Sequence, residues 1–531
     1  GIMDRKRYLG TAAAIGGFAA FTLLTGVPSA KADEVSDLRA NNELLQQRLD
    51  QIAQTNNTGP SRLFSADAQA MTAAATAGSF PRSFLIPGTD TSIRVGGNIT
   101  WIADYYLEGG NANGSPWSTT IGANGSVQAV PFNNTSSAKS AADFGESMRQ
   151  SQLSVETRTP TPYGEARSYM SFDWAGSTAY VPGGTAPGEI SDNLSPRLKY
   201  AYGTLGGWLA GQANSNFEDP DANAETLDFG GNVGEPGRVR TAQLRYTMPL
   251  TWAWGGALSF SLENPEVEVF TSNGICGSDA GVSSGCMSPG LGTAGGASIA
   301  ALQNINPGKP IAPDLTAALY IPQPWGHIDI SGIIRPEGIS DGAYYSKDFV
   351  GGGGHLGFDV KPGWFTPKDD FTFHFTGGSG LGGYLNSSTN AALETNLASH
   401  TTAPAGVCGL PSTPTATVSP TAASCVATKL IPSIGAEIGY QHWWSDNLRS
   451  TFSYGVNREY SLSAAYLGTG ITSANKELQT AHANLIWNPV SFVTIGIEYM
   501  WGQRTVAVAP VGTTANSQQI QTLIGKFDVA F

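Results

Sequence analysis

Five carboxylates lie close together in the segment 216–237, and arginines are frequent in the segments around it. The acids are Glu218, Asp219, Asp221, Glu225 and Asp228. The arginines are Arg94, Arg149, Arg158, Arg167, Arg197, Arg238 and Arg240. Carboxylates opposite a row of guanidinium groups create a transverse electric field, which orients dipolar solutes and selects them by charge. A guanidinium row can also bind a carboxylate ligand through paired hydrogen bonds. The alternative is that all these charges are simply solvated.

The sequence contains partial matches to motifs for metal binding and catalysis, but each lacks an essential part. The acids at 219, 221 and 225 could bind calcium, but the D-x-[DN]-x-[DN]-G pattern of a calcium loop is absent. The segment 281–285 (GVSSG) matches G-x-S-x-G without a strand-to-helix elbow. The segment 378–383 (GSGLGG) matches G-x-G-x-x-G, but no helix pattern follows it. The histidines are scattered and form no H-E-x-x-H motif: His327, His355, His374, His400, His442 and His482. We therefore expect no enzyme, no metal site and no cofactor.

The elements that position these charges are predicted to be β-strands. From Ser92 onward, apolar and polar residues alternate with the period of two that is typical of strands. Short turns and long loops alternate along the chain, as they do in outer-membrane barrels; two of the short turns are expected at 248–249 and 488–490. We count sixteen strands over 92–531. Lipid leaves no backbone group unpaired, so the sheet must close, and sixteen strands leave a water-filled lumen. The predicted fold is an all-β, sixteen-stranded antiparallel transmembrane β-barrel. The parity of the apolar residues shifts between Val239 and Leu244, which predicts a bulge in the segment 237–247.

The final strand carries a distinctive pattern. Leu523, Phe527, Val529 and Phe531 alternate with polar or small residues. A terminal aromatic residue on such a strand resembles the signal by which outer-membrane barrels are recognised for insertion. We assign that signal to Phe527, Val529 and Phe531. The alternative is the edge strand of a soluble sheet.

Residues 1–32 are predicted to be a secretory signal peptide, with a basic start, an apolar stretch and an A-x-A cleavage site at 30–32. Residues 33–54 are predicted to be a periplasmic coiled coil, because apolar spacings alternate between three and four. Its core positions are Val35, Leu38, Asn42, Leu45, Leu49 and Ile52. A lone amphipathic helix is the alternative. Residues 55–91 are predicted to be a linker that leads into the barrel.

Composition narrows the function further. Charged residues make up 13% of the 531 residues and the net charge is −13, so nucleic-acid binding is not expected. Four cysteines form two close pairs in predicted loops: Cys276 with Cys286, and Cys408 with Cys425. In an exported chain these predict loop disulfides. Three connectivities are possible, and pairing within each loop closes the shortest loops.

Several segments together resemble the DcaP-like porin family. They are 84–92 (FLIPGTDTS) leading into 95–97, 149–151 (RQS) with 157–160 (TRTP), 216–222 (NFEDPDA) with 225–230 (ETLDFG), 263–266 (ENPE) and 498–502 (EYMWG). The resemblance implies a homotrimeric porin in the outer membrane of a Gram-negative bacterium, surrounded by lipid and lipopolysaccharide. It also implies uptake of small anionic or dicarboxylate-type solutes. In porins the third long loop usually folds into the lumen, so the segment 216–237 is expected to form the constriction.

Other functions remain open at this stage. A sugar-type porin would show aromatic tracks along the lumen in place of an arginine row. A structural envelope tether would use the barrel as an anchor and the coiled coil to hold a periplasmic partner. An outer-membrane enzyme would need a paired nucleophile and base in the lumen.

Overall fold

The computed structural model describes most of the chain beyond residue 76. The described residues are 77–110, 127, 130–139, 141, 143–176, 196–234, 239–251, 255–271, 274–276, 308–340, 346–363, 365–385, 391–395, 428–460, 474–509 and 513–531. The predicted signal peptide, the coiled coil and most of the linker lie outside these residues. So do Arg238, Cys286, Cys408 and Cys425. The disulfides and the coiled coil therefore stay predictions.

Sixteen long strands form one antiparallel sheet. They are β1 (Ser92–Glu108), β2 (Gln152–Thr161), β3 (Gly164–Asp173), β4 (Arg197–Leu205), β5 (Trp208–Asn214), β6 (Arg240–Leu250), β7 (Gly256–Glu263), β8 (Asp314–Gln323), β9 (Gly326–Ser340), β10 (Ser346–Val360), β11 (Asp370–Ser379), β12 (Pro432–Ser445), β13 (Leu448–Glu459), β14 (Asn475–Val490), β15 (Val493–Val506) and β16 (Ser517–Ala530).

The sheet closes on itself, which confirms the predicted barrel. Each strand pairs with its neighbours in sequence, and β1 pairs with both β2 and β16. The backbone N–H of Phe531 donates to the carbonyl of Gly97 at 2.9 Å and extends this seam by one residue. Closure gives each of the sixteen strands a partner on both sides, which is the condition for a barrel in lipid.

The two faces of the barrel differ in the way that the alternation predicts. On β1, Ile99 and Trp101 are exposed on the outer face, whereas Thr100 and Asp104 are buried on the inner face. The same parity continues around the barrel through the strand registers. The outer face is therefore apolar and suited to lipid, and the inner face carries the charges.

Shorter elements decorate the barrel. The strands Phe84–Leu85, Phe144–Ser147 and Gly308–Pro310 pair with barrel strands, and Val269–Thr271, Gly274–Cys276, Leu393–Thr395 and Thr428–Leu430 form a separate four-stranded sheet. The helical turns are Ser136–Lys139, Pro220–Ala222 and Gly382–Tyr384. Within the described residues, no helix has the length and apolarity that crossing a membrane requires.

Three local predictions are wrong. The turns expected at 248–249 and 488–490 fall inside β6 and β14, and the connections lie at 251–255 and 491–492. The bulge expected in 237–247 is absent from the register of β6, which runs without a shift from Arg240 to Leu250. The parity change in the sequence arises because Val239 precedes the strand and packs against a buried cluster that includes Phe217.

Candidate functional site

The segment 215–234, which is the first and described part of the connection from β5 to β6 and which we call loop 3, lies inside the barrel. Its backbone N–H groups donate to side chains on β7, β12, β14 and β15. Asp219 also contacts His327 on β9. Loop 3 therefore lies against the inner wall from β7 to β15, and its Leu227 belongs to the same buried cluster as Ile102 on β1.

Glycines on the inner face make room for this loop. A Cβ atom added at Gly455 would stand 2.0 Å from the carbonyl oxygen of Val233, and one added at Gly496 would stand 2.7 Å from Leu227 Cδ1. These separations are shorter than a van der Waals contact, so neither position can hold a larger residue without moving the loop. Glycine at inward positions of β13 and β15 thus allows the loop to pack against the wall.

The predicted loop acids have different surroundings. Asp219 is buried, and its Oδ2 lies 2.7 Å from His327 Nε2. Glu225 accepts hydrogen bonds from Nη2 and Nε of Arg449, at 2.5 and 2.6 Å. Asp228 is buried, whereas Glu218 and Asp221 line a cavity. Asp219 also lines that cavity, so three of the five acids border it, whereas Glu225 is held by Arg449 on the wall and Asp228 is buried.

Three predicted arginines converge on one wall carboxylate that the sequence did not single out. Glu156 on β2 accepts hydrogen bonds from Arg94, from Arg158 at 2.7 Å and from Arg167 at 2.9 Å. Its side chain is 1% exposed, whereas that of Arg94 is 29% exposed. Arg158 also reaches Glu165 at 3.5 Å. The Glu156 carboxylate therefore lies behind the guanidinium groups, and the Phe80 ring stands 5.6 Å from that of Arg94 and 4.6 Å from that of Arg158.

A second basic cluster lies further along the same wall. Arg197 donates to Asp173 at 2.6 Å, and Lys199 Nζ lies 4.0 Å from the same carboxylate. Of the remaining predicted arginines, Arg149 donates to the carbonyl of Gly176, and Arg240 stacks over a tyrosine ring. We call the inner face with Arg94, Arg158, Arg167 and Arg197 the arginine wall.

Tyrosines line the wall beside these cations. Tyr169 lies 5.9 Å from Tyr200 and 5.6 Å from Tyr202, measured between ring centroids. The Arg167 guanidinium stands 5.8 Å from the rings of both Tyr169 and Tyr202. Arg197 stands 5.7 Å from the ring of Phe229 in loop 3. This last contact brings the loop and the arginine wall together across the lumen.

A cavity of about 610 Å³ opens between loop 3 and the wall from β4 to β10. Its charged lining includes Glu218 and Asp221 on the loop side and Arg245 and Lys361 on the wall side. The wall side also carries Asp329 and Asp359, so the acids of this cavity outnumber its cations. Those cations belong to β6 and to the residue after β10, and none of them is a predicted arginine. Sequence reasoning missed both.

The sequence also carried no indication that three of the histidines pair with carboxylates. His327, His374 and His482 lie on the inner face of β9, β11 and β14, and each contacts a carboxylate at 2.7 to 2.9 Å. Their partners are 108, 63 and 16 residues away in sequence, so spacing carried no signal of these pairs. Among the described residues, no group of three or more histidines, cysteines or acids is arranged to hold a metal ion.

The carboxyl group of Asp369, which lies outside the strands, has a strongly shifted pKa. Burial alone would raise the pKa of Asp369, in the connection from β10 to β11. Hydrogen bonds from Thr366, from the Trp443 backbone, from Tyr440 and from His442 outweigh it and hold the pKa well below its usual range. The carboxylate thus organises this turn in its ionised form.

Comparison with known proteins agrees with this architecture. The profile of a family described as Porin subfamily matches residues 82–524. The outer membrane channel DcaP of Acinetobacter baumannii is 20% identical with a TM-score of 0.58, covering 84% of this chain and 99% of that one, which shows a shared fold. An anion-selective porin from Comamonas acidovorans (8% identity, 83% of this chain and all of that one, TM-score 0.44) is more distant. A Salmonella typhi OmpF complex with daunomycin is equally distant, with 8% identity, coverage of 83% of this chain and 98% of that one, and a TM-score of 0.44.

No curated protein matches the sequence. The resemblance to DcaP-like porins that the sequence motifs indicated is confirmed at the level of family and fold. With a family match over most of its length and a closed barrel of sixteen strands, the chain belongs to the Porin subfamily and is a non-enzymatic diffusion channel of the bacterial outer membrane.

Proposed function

We propose that this porin passes small hydrophilic solutes with a preference for anions, including dicarboxylates, and that loop 3 forms its constriction. The observation that carries the proposal is the convergence of Arg94, Arg158 and Arg167 on the single carboxylate of Glu156. Three positive charges share one buried negative charge there. A solute that passes along this wall meets a surplus of positive charge.

The surplus persists along the arginine wall. Arg197 and Lys199 share Asp173, whose side chain is 0% exposed, and Glu165 is a further acid near the periplasmic turn. Even with Glu165 counted, the basic groups of this wall outnumber the acidic ones. Guanidinium groups bind carboxylates through two parallel hydrogen bonds, so neighbouring arginines suit a solute with two carboxylates.

The constriction role rests on the path of loop 3. The loop is held at many points against the wall from β7 to β15, and its Phe229 reaches Arg197 on β4. A segment that crosses the lumen narrows the path to the space between itself and the arginine wall. Glu218 and Asp221 line the neighbouring cavity between loop 3 and the wall from β4 to β10.

A current-block experiment tests the proposed solute class. Succinate, added to a chloride-conducting channel in a planar bilayer, should reduce the current at millimolar concentration, and acetate should do so less at equal ionic strength. A neutral disaccharide serves as the control for size. Equal effects of succinate and the disaccharide would contradict anion recognition by the arginine wall.

The tyrosines favour a second candidate, a sugar-type porin. Tyr169, Tyr200 and Tyr202 form a continuous aromatic surface on the lumen wall, and sugars stack on such surfaces. In the block experiment, a disaccharide that reduces the current more strongly than succinate would favour this function.

We further propose a homotrimer, as the DcaP-like resemblance implies. The outer face of β2 and β3 carries a hydrogen-bonded pair of hydroxyl groups, Thr157 and Ser168, at 2.6 Å, and the amide of Gln212 lies on the outer face of β5. Polar side chains suit a subunit interface better than lipid. The periplasmic coiled coil and its tethering role remain proposals, tested by deletion of residues 33–54, which should leave conductance unchanged.

A further inference from the structure

Three glutamates on the inner wall contact loop 3 and take no part in the arginine wall. Glu263 on β7 accepts a hydrogen bond from the backbone N–H of Asn216 at 2.8 Å. Glu437 on β12 accepts one from Ala224 at 2.9 Å. The third glutamate is Glu498 on β15.

Glu498 accepts two backbone hydrogen bonds from the loop. Leu227 N–H donates to its Oε2 at 2.7 Å, and Asp228 N–H donates to its Oε1 at 3.2 Å. The three glutamates therefore hold the start, the middle and the far part of loop 3. They lie on strands that are well separated around the barrel.

Each carboxylate is oriented from behind by further donors. His374 contacts Glu437 at 2.8 Å. His482 and Asn484 contact Glu498 at 2.9 and 3.1 Å. All three glutamates are at most 2% exposed. Hydrogen bonds to an ionised group are stronger than neutral ones, and they gain further strength away from water.

Thr316 and Tyr384 play the same role for Glu263, each at 3.1 Å. The donors behind the three glutamates come from barrel strands or from the helical turn Gly382–Tyr384, so the carboxylates are fixed to rigid elements. Loop 3 itself contains only one short helical turn, Pro220–Ala222, and has little regular structure of its own to define its path.

We propose that Glu263, Glu437 and Glu498 are positioning residues that fix the path of loop 3 and thereby set the width of the lumen. The proposal rests on the constriction role proposed above. The three side chains are not needed for barrel closure, because the strands are held by their own backbone ladders. We call each glutamate, with its hydrogen bonds to loop 3, a clamp. Loss of a clamp should therefore release the loop and leave the barrel folded.

The test compares Glu437→Gln, Glu498→Gln and the double variant with the wild type. In Glu498→Gln an amide NH₂ replaces one acceptor oxygen, so at least one of the two loop N–H groups loses its partner. Glu477→Gln is the matched control. Leu478 is buried on the inner face, so its neighbour Glu477 points to the outer face, where it pairs with Arg458, away from loop 3. All variants are refolded as the full chain in detergent.

The first measurement is hydrogen exchange of the loop 3 peptide, followed by mass spectrometry. Loss of a hydrogen bond to a charged group should speed exchange at Leu227 and Asp228 by about tenfold or more in Glu498→Gln, and the double variant should extend this to Ala224. Exchange in the strands and in Glu477→Gln should match the wild type. Unchanged loop exchange in the folded double variant would overturn the proposal.

The second measurement is the single-channel current. A released loop should raise the open-channel noise and change the mean conductance in the double variant, with both unchanged in Glu477→Gln. Faster loop exchange with an unchanged current would overturn the link between the clamps and the width of the lumen. A wild-type chain that shows no anion preference would refute the proposed selectivity, while the exchange result would still decide the clamp.

Discussion

Removal of two positive charges from the arginine wall should weaken anion preference by a predictable amount. In Arg158→Gln/Arg167→Gln, Glu156 keeps its contact with Arg94. No buried carboxylate is left without a cation, so the barrel should fold. The charge of the wall falls by two, and the guanidinium groups that face the lumen are reduced to Arg94 and Arg197.

The size of the effect follows from Coulomb's law. Two unit charges about 7 Å apart in water interact by about 0.6 kcal/mol, and salt at about 0.1 M roughly halves this value. Two lost charges then cost a chloride ion about 0.6 kcal/mol and relieve a potassium ion of about 0.6 kcal/mol of repulsion, which together lower the permeability ratio of chloride to potassium about eightfold. A dicarboxylate carries twice the charge, so its binding should weaken about eightfold.

The assay is the reversal potential in a planar bilayer under a potassium chloride gradient, followed by current block with succinate. Arg458→Gln is the matched control, because Arg458 lies beside the inward-facing Asn457 and pairs with Glu477 on the outer face. An unchanged permeability ratio in the double variant, or an equal shift in Arg458→Gln, would refute the assignment of selectivity to the arginine wall.

Three further outcomes are expected. Gly455→Val should displace loop 3 and change single-channel conductance, because the new Cβ would stand 2.0 Å from a loop carbonyl oxygen, whereas Gly332→Ala, with 3.8 Å of clearance, should not. The pKa of Asp369 is lowered in the folded state, so the ionised carboxylate stabilises the folded protein above its unfolded pKa of about 4, and this stabilisation is lost as the pH falls below that value. The urea midpoints of wild type and Asp369→Asn should therefore differ at pH 7 and converge in acid. Leucine in place of Thr157 and Ser168 should produce monomers on native gels if that face packs in a trimer, and retained trimers would place it against lipid.

Much of the fold could be predicted from local pattern. Alternation in β1 identifies both the strand and its two faces, because side chains in a strand point alternately to opposite sides. The chain order of short and long connections then predicts closure. Turn positions were less accurate, since Pro249 and Pro489 are turn-forming residues that the structure accommodates within strands.

The partners of the inward charges could not be predicted. Arg94 and Glu156 are 62 residues apart, and Ala224 and Glu437 are 213 apart. Such pairs depend on strand register and on the path of loop 3, neither of which leaves a periodic trace in the sequence. For the same reason the arginines were expected to face the loop acids, whereas three of them bond to Glu156 on the wall.

The reversal potential of the wild-type protein tests the central claim most directly. The refolded chain in a planar bilayer under a potassium chloride gradient should give a potential that favours chloride, because the arginine wall carries more positive than negative charge. A potential that favours potassium would show that the acids of loop 3 dominate and would contradict the proposed anion preference.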